Sequence, residues 1–314
     1  MDRRRIDSRL GPRRGLPPVL LSLLALVILI VSCVPHRFGG DQAAAERSTA
    51  TGQPSPPGAA TAETTPDPAS PAATPSRTRV VYLDPGHGGP DTGTGGTTLD
   101  GTWVQEKDVT LAIALRTAER LRAAGIEVVL SRTSDELPGL EPQDVLPDGE
   151  GLTAEGVLRD LQRRIDHANA SGANLLLSIH LNGHVDPAAT GTETYYDSTR
   201  PFSDESRRLA ELIQRHVVEG LREAGYDAVD RGVFDQTELE APGLGVLPDY
   251  PHLVMLGPAV PGRLRPSAMP GVLNEVLFLS NPTEASLAQQ PEIQDRIAQA
   301  YTDAILEFLA AVKS

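Results

Sequence analysis

Along residues 79–314, short apolar runs alternate with longer stretches whose apolar positions recur every three or four residues. Arg79–Leu83, Ile126–Ser131, Leu175–Ile179, Gly191–Tyr196, Leu253–Leu256 and Val272–Phe278 have the character of strands. Between them, Lys107–Ala124, Ala154–Asn169, Asp204–Ala224 and Pro291–Val312 carry helical periodicity. Strands alternating with helices of this length predict an α/β fold. The expectation is a single three-layer domain over 79–314, with a mostly parallel central sheet flanked by helices. Two Pro/Gly-rich insertions, 136–153 and 235–271, interrupt the pattern. Loops of that length in a compact domain line or cover functional sites, or move.

The front of the chain has a different pattern. Six arginines within residues 2–14 precede an apolar run from Leu16 to Val34, broken only by Pro17, Pro18, Ser22, Ser32 and Cys33. Basic then apolar is the order of an export signal or a signal anchor, with the basic end on the cytoplasmic side. Residues 1–36 are therefore read as a signal peptide, a lipoprotein signal or an N-terminal membrane anchor. Cys33 is the only cysteine, which excludes an intramolecular disulfide framework. Ile30-Val31-Ser32-Cys33 resembles a bacterial lipobox, so Cys33 is either lipidated or part of an uncleaved anchor helix. Both readings tether the rest of the chain to a membrane, outside the cytoplasm, whereas a cleaved signal peptide would leave it secreted. Residues 37–78 are rich in Ala, Thr, Pro, Ser and Gly without hydrophobic periodicity, the composition of a disordered linker.

Charge narrows the partners. Removing the seven arginines and two aspartates of residues 1–40 leaves 21 basic and 40 acidic side chains, a net of −19. A body this acidic excludes nucleic acid as a partner.

Four polar residues stand at the edges of apolar segments: His87 in DPGHGGPDTG, Glu106 in VQEKDVTLAIAL, His180 in NLLLSIHLNG and Glu275 in VLNEVLFLSN. Glycines around His87 permit sharp turns and free the imidazole to point into a cleft. Glu106 opens a helix, where the dipole favours any carboxylate. Glu275 lies in so apolar a run that its burial is expensive unless it is paired or functional. Two histidines and two glutamates are the components of a catalytic zinc site, three groups for the metal and a carboxylate for protons. In an open α/β sheet, residues at the carboxyl ends of strands converge on one crevice. His87, His180 and Glu275 are expected at or just past such ends.

The blocks DPGHGGPDTG, QEKDVTLAIAL, LSRTSD, LQRRIDHANASGANLLLSIHLNG, GTETYY and NEVLFLSNPTEA resemble, in this order, the zinc-dependent N-acetylmuramoyl-L-alanine amidases of the type 3 domain, over about residues 79–312. The resemblance implies Zn2+ on His87, Glu106 and His180, with Glu275 moving the proton. It implies a peptidoglycan hydrolase that cleaves the amide between N-acetylmuramic acid and L-alanine. Where the family pattern has glycine two residues after the glutamate, this chain has Leu277, a side chain that would narrow the pocket or shift the strand. A zinc peptidase acting on stem peptides, and a silent or activator-dependent wall-binding protein on the same scaffold, are the rival readings; the activator is unknown. Arg132 and Arg164 fall in resembling blocks and are read as structural. His184 is read as a loop residue, and His36, His167, His216 and His252 are given no functional role.

Overall fold

The computed structural model describes residues 79–238 and 250–311. It begins with β1 (Val80–Pro85) and a hairpin, β2 (Gly95–Thr97) and β3 (Trp103–Gln105), which runs directly into α1 (Glu106–Ala123). Then follow β4 (Glu127–Leu130), α2 (Ala154–Ser171), β5 (Leu175–Asn182), β6 (Thr192–Tyr196), α3 (Ser203–Glu223) and β7 (Asp230–Asp235). After residues 250–270 come β8 (Gly271–Phe278), α4 (Pro282–Ala288) and α5 (Pro291–Ala311).

Six strands form one sheet in the order β4-β1-β5-β8-β6-β7. The first four are parallel neighbours, β6 runs antiparallel to β8, and β7 is parallel to β6. Every residue of β1 is buried, as expected of a central parallel strand covered on both faces. On one face Val81, Leu83, Leu177 and Ile179 pack against α1, α3 and α5. On the other, Tyr82, Leu176 and Tyr195 pack against α2 and the segment 250–269. This is the expected mixed α/β domain with a mostly parallel sheet.

All four predicted helices are present to within two residues at each described end. Thr153 caps α2 by accepting from the Gly156 amide at 3.1 Å, and Gly172 ends it in the left-handed region at φ 67°. One strand expectation fails. Leu253–Leu256 is a turn, closed by the Gly257 amide on the Leu253 carbonyl at 2.8 Å. Pro251 and the Gly257-Pro258 pair leave no room for a ladder, so these side chains fill the second core without a strand. The described part of the 235–271 insertion is therefore a core layer, not a loose cover. Strands β2, β3 and β7 and helix α4 were not expected.

The expectations for residues 1–36 and 37–78, including Cys33, lie outside the described residues. Among the described residues, no helix is long and apolar enough to cross a membrane.

Candidate metal centre

His87 follows β1 in a left-handed conformation, φ 61°, the single non-glycine residue so placed among those described. Such a backbone is strained for a side chain with a Cβ and persists where its surroundings impose it. Here two arginines do so. Arg164 donates to the carbonyls of Pro85 at 2.9 Å and His87 at 2.8 Å, and Arg132 donates to those of Pro85 at 3.1 Å and Gly86 at 2.9 Å. Arg164 also pairs with Asp84 at 2.8 Å, joining α2 to the sheet. The structural role expected of both arginines is present, and its object is the His87 turn.

Glu106 is the first residue of α1 and is buried. The amides of Thr94 at 2.8 Å and Leu181 at 2.9 Å donate to its carboxylate, one oxygen each. His87 Nε2 lies 3.2 Å from one oxygen and His180 Nδ1 lies 3.0 Å from the other. The two imidazoles stand edge to face, 5.0 Å between centroids. Donor atoms of His87, Glu106 and His180 all fall within 4.8 Å of one another, a group that could hold a metal ion. A tetrahedral ion with bonds of ~2.0–2.1 Å separates its donors by about 3.4 Å, so the cluster is the right size, and two imidazoles with one carboxylate suit zinc. The residues fit the ion.

Electrostatics match. Burial would raise the Glu106 pKa, but His87 and His180 hold it well below the usual carboxylate range. Burial works against charge on His87, yet Asp91 and Glu106 outweigh it and push the imidazole well up. Asp91 Oδ2 is 2.9 Å from His87 Nδ1, the ring nitrogen turned away from Glu106. That is how carboxylates orient metal-binding histidines. Sequence reasoning missed Asp91, although it sits four residues from His87 in the same glycine-rich turn.

Glu275 is in the middle of β8 and His180 is inside β5, so neither lies past a strand end as expected. The two are register partners across the parallel pair. Glu275 Oε2 is buried without a hydrogen-bond partner among the described residues. Desolvation, with the charges of Glu106 and Glu193, raises its pKa well above the ordinary carboxylate value. A second buried carboxylate, Glu193, faces Glu275 from β6 and was also missed.

Residues 81–307 match the family described as Amidase_3, N-acetylmuramoyl-L-alanine amidase. The chain belongs to that family. A germination-specific N-acetylmuramoyl-L-alanine amidase of Bacillus subtilis is 31% identical over 230 residues, 73% of this chain and 79% of the relative. The crystal structure of an N-acetylmuramoyl-L-alanine amidase from Clostridium difficile 630 is 30% identical, with a TM-score of 0.54 over 76% of this chain and 100% of that one. The CwlD amidase of Clostridioides difficile, solved in complex with the GerS lipoprotein, is 26% identical with a TM-score of 0.55, covering 74% of this chain and 99% of its own.

In this member of the amidase family Leu277 does not enter the site. A register shift between β5 and β8 just past His180 and Glu275 lets its side chain drop into the core against the helices, fully buried. His184 is a loop residue, outside the His87–Glu106–His180 group. His167, His216 and His252 bond to Tyr82, Glu307 and Asp197, away from that group.

Proposed function

We propose that this amidase-family protein hydrolyses the amide between N-acetylmuramic acid and L-alanine of peptidoglycan, with zinc on His87, Glu106 and His180 and with Glu275 as acid/base. The observation that carries the reading is the half-buried Glu275 on the strand register of His180, with its Oε2 buried and without a hydrogen-bond partner among the described residues. When bound, zinc supplies a Lewis acid that polarises the scissile carbonyl and acidifies water. Glu275 takes the proton of the attacking water and returns it to the departing amine nitrogen of L-alanine. Its raised proton affinity, from desolvation first and neighbouring carboxylates second, suits the donating half of that cycle. Asp91 fixes the His87 ring, and the arginine-bound carbonyls of residues 85–87 keep the turn from relaxing.

The basic and apolar N-terminal segment supports a location outside the cytoplasm with a membrane tether, through an anchor helix or a lipidated Cys33. The likeness to CwlD, solved with a lipoprotein, supports a protein partner for this chain as well.

Incubating the zinc-loaded protein with purified peptidoglycan tests the activity. Released peptides beginning with L-alanine, abolished by chelator and by Glu275→Ala, are expected. Release of shorter fragments with other N-termini would instead identify a peptidase, and no release would favour the silent or activator-dependent reading.

A further inference from the structure

The Glu275 carboxylate has no hydrogen bond at Oε2, so something other than its own partners must fix its direction. Its surroundings supply a device. In the sheet β8 lies between β5 and β6, which places those outer two strands about 9.6 Å apart. Asn182 on β5 nevertheless donates to Glu193 on β6, Nδ2 to Oε1, at 2.6 Å. The bond spans the intervening strand. Glu193 is the register partner of Glu275, while Asn182 is opposite Phe278. The bridge therefore crosses β8 immediately beyond Glu275.

The bridge is held at its far side. Glu193 is fully buried, its Oε1 also accepts from the Tyr195 hydroxyl at 2.6 Å, and its Oε2 accepts from Arg231 Nε. The Arg231 guanidinium lies over the Phe278 ring, 4.9 Å from its centroid, so the same arginine grips the strand that carries Glu275. A buried ion pair adds little to stability compared with apolar residues of the same size. The pair lies beside Glu275, whose Oε2 is the one buried carboxylate oxygen without a partner among the described residues.

We propose that Glu193, clamped by Arg231 and bridged to Asn182, is a positioning residue that confines the Glu275 side chain to the orientation needed for proton transfer. This rests on the acid/base reading of Glu275 given above. Glu193 lies outside the His87–Glu106–His180 group and acts through Glu275.

The test uses the full-length zinc-loaded protein and three variants: Asn182→Ala, Glu193→Ala and Glu193→Gln. Crystal structures report where the Glu275 carboxylate lies, and stem-peptide release reports kcat and KM. In both alanine variants the carboxylate should move by about 1 Å or more, and kcat should fall about 10–100-fold, the scale of a misplaced catalytic group. KM and zinc stoichiometry should stay as in the wild type. Glu193→Gln keeps an acceptor for Asn182 and Tyr195 but turns an amide NH2 toward Arg231, so it should restore the position and kcat in part, between Glu193→Ala and the wild type. If Glu193→Ala does not fold, Asn182→Ala decides, because it leaves the Glu193–Arg231 pair in place. An unmoved Glu275 in folded Asn182→Ala protein overturns the proposal, as does a kcat within twofold of wild type. Absence of stem-peptide release by the wild type would defeat the activity reading alone; the Glu275 position in Asn182→Ala would still decide the bridge.

Discussion

His180 and Glu275 stand opposite each other on the parallel strands β5 and β8, although 95 residues separate them in the chain. Direct pairing puts both side chains on one face of the sheet, about one strand spacing, ~4.8 Å, apart at the backbone. Glu106 reaches the same face from the first turn of α1, where the Leu181 amide, next to His180, binds its carboxylate at 2.9 Å. His180, Glu106 and Glu275 are thus set by sheet register and a helix start, and His87 by the turn that Arg132 and Arg164 hold.

From this arrangement Glu275→Gln should separate chemistry from metal binding. The substitution keeps the shape of the side chain and leaves His87, Glu106 and His180 untouched. Zinc content should equal that of the wild type, measured by atomic absorption, while turnover falls about 10²–10⁴-fold, the contribution typical of a general acid/base. Loss of zinc in this variant would make Glu275 a ligand.

Gly86 leaves space that the centre needs. A Cβ there would sit 2.3 Å from Cε1 of the His180 ring, and the ring belongs to a strand that cannot back away. Gly86→Ala should fold yet lose zinc affinity by at least tenfold in a chelator competition. Gly125→Ala is the contrast. Its φ of 80° strains an alanine, but no atom lies within 4 Å of the new Cβ, so it should cost about 1 kcal/mol of stability and leave zinc affinity unchanged.

Asp91→Ala should weaken zinc binding about 10–100-fold, the usual effect of removing a carboxylate that orients a histidine ligand. Because Asp91 and Glu106 together raise the proton affinity of His87 above what burial would allow, metal and proton compete there. Zinc binding to the wild type should therefore weaken as pH falls and release protons, a quantity that calorimetry in buffers of different ionisation enthalpy reads directly. Asp91→Ala should release fewer.

Much of this was readable from the chain. The helices declared themselves by period, and the four polar residues stood out because each lies at the edge of an apolar segment. What was not readable is what tertiary context decides. Asp91 is set apart from surface acids only by its place four residues after His87, and Glu193 by nothing local; the turn around His87 and the pairing of β6 with β8 place them. Segment 250–269 is apolar enough to be a strand in places, yet its prolines and glycines turn it into an irregular core layer. Strand β7 begins and ends in aspartate, with Arg231 and Gly232 following the first, so its alternation is weak. Leu277 shows the reverse error: a residue that breaks the family pattern is absorbed by a register shift and never meets the site.

The support beneath the centre carries its own pH signature. Asp84 is almost fully buried; burial pushes its pKa up, but Arg164 and the hydroxyls of Ser131 and Ser178 outweigh this and hold it at about 2 against an ordinary 3.8. A folded-state pKa below the unfolded one contributes stability that is fully present above the unfolded value and is lost as pH falls through the folded one. For this pair of values the contribution is about 2 kcal/mol, lost between about pH 4 and pH 2. Asp84→Asn removes that dependence and leaves Arg164 with Asp160 as its remaining carboxylate partner, at 2.7 Å. Breaking a buried pair from one side costs about 3–5 kcal/mol. Urea unfolding of the chelator-treated proteins should show the wild type more stable at neutral pH, with the gap to Asp84→Asn narrowing by about 2 kcal/mol as pH is lowered from about 4 to 2. A gap that stays constant over this window would mean that folding does not lower the Asp84 pKa. Arg164 would then hold the His87 turn through the carbonyls of residues 85 and 87 and through Asp160 alone.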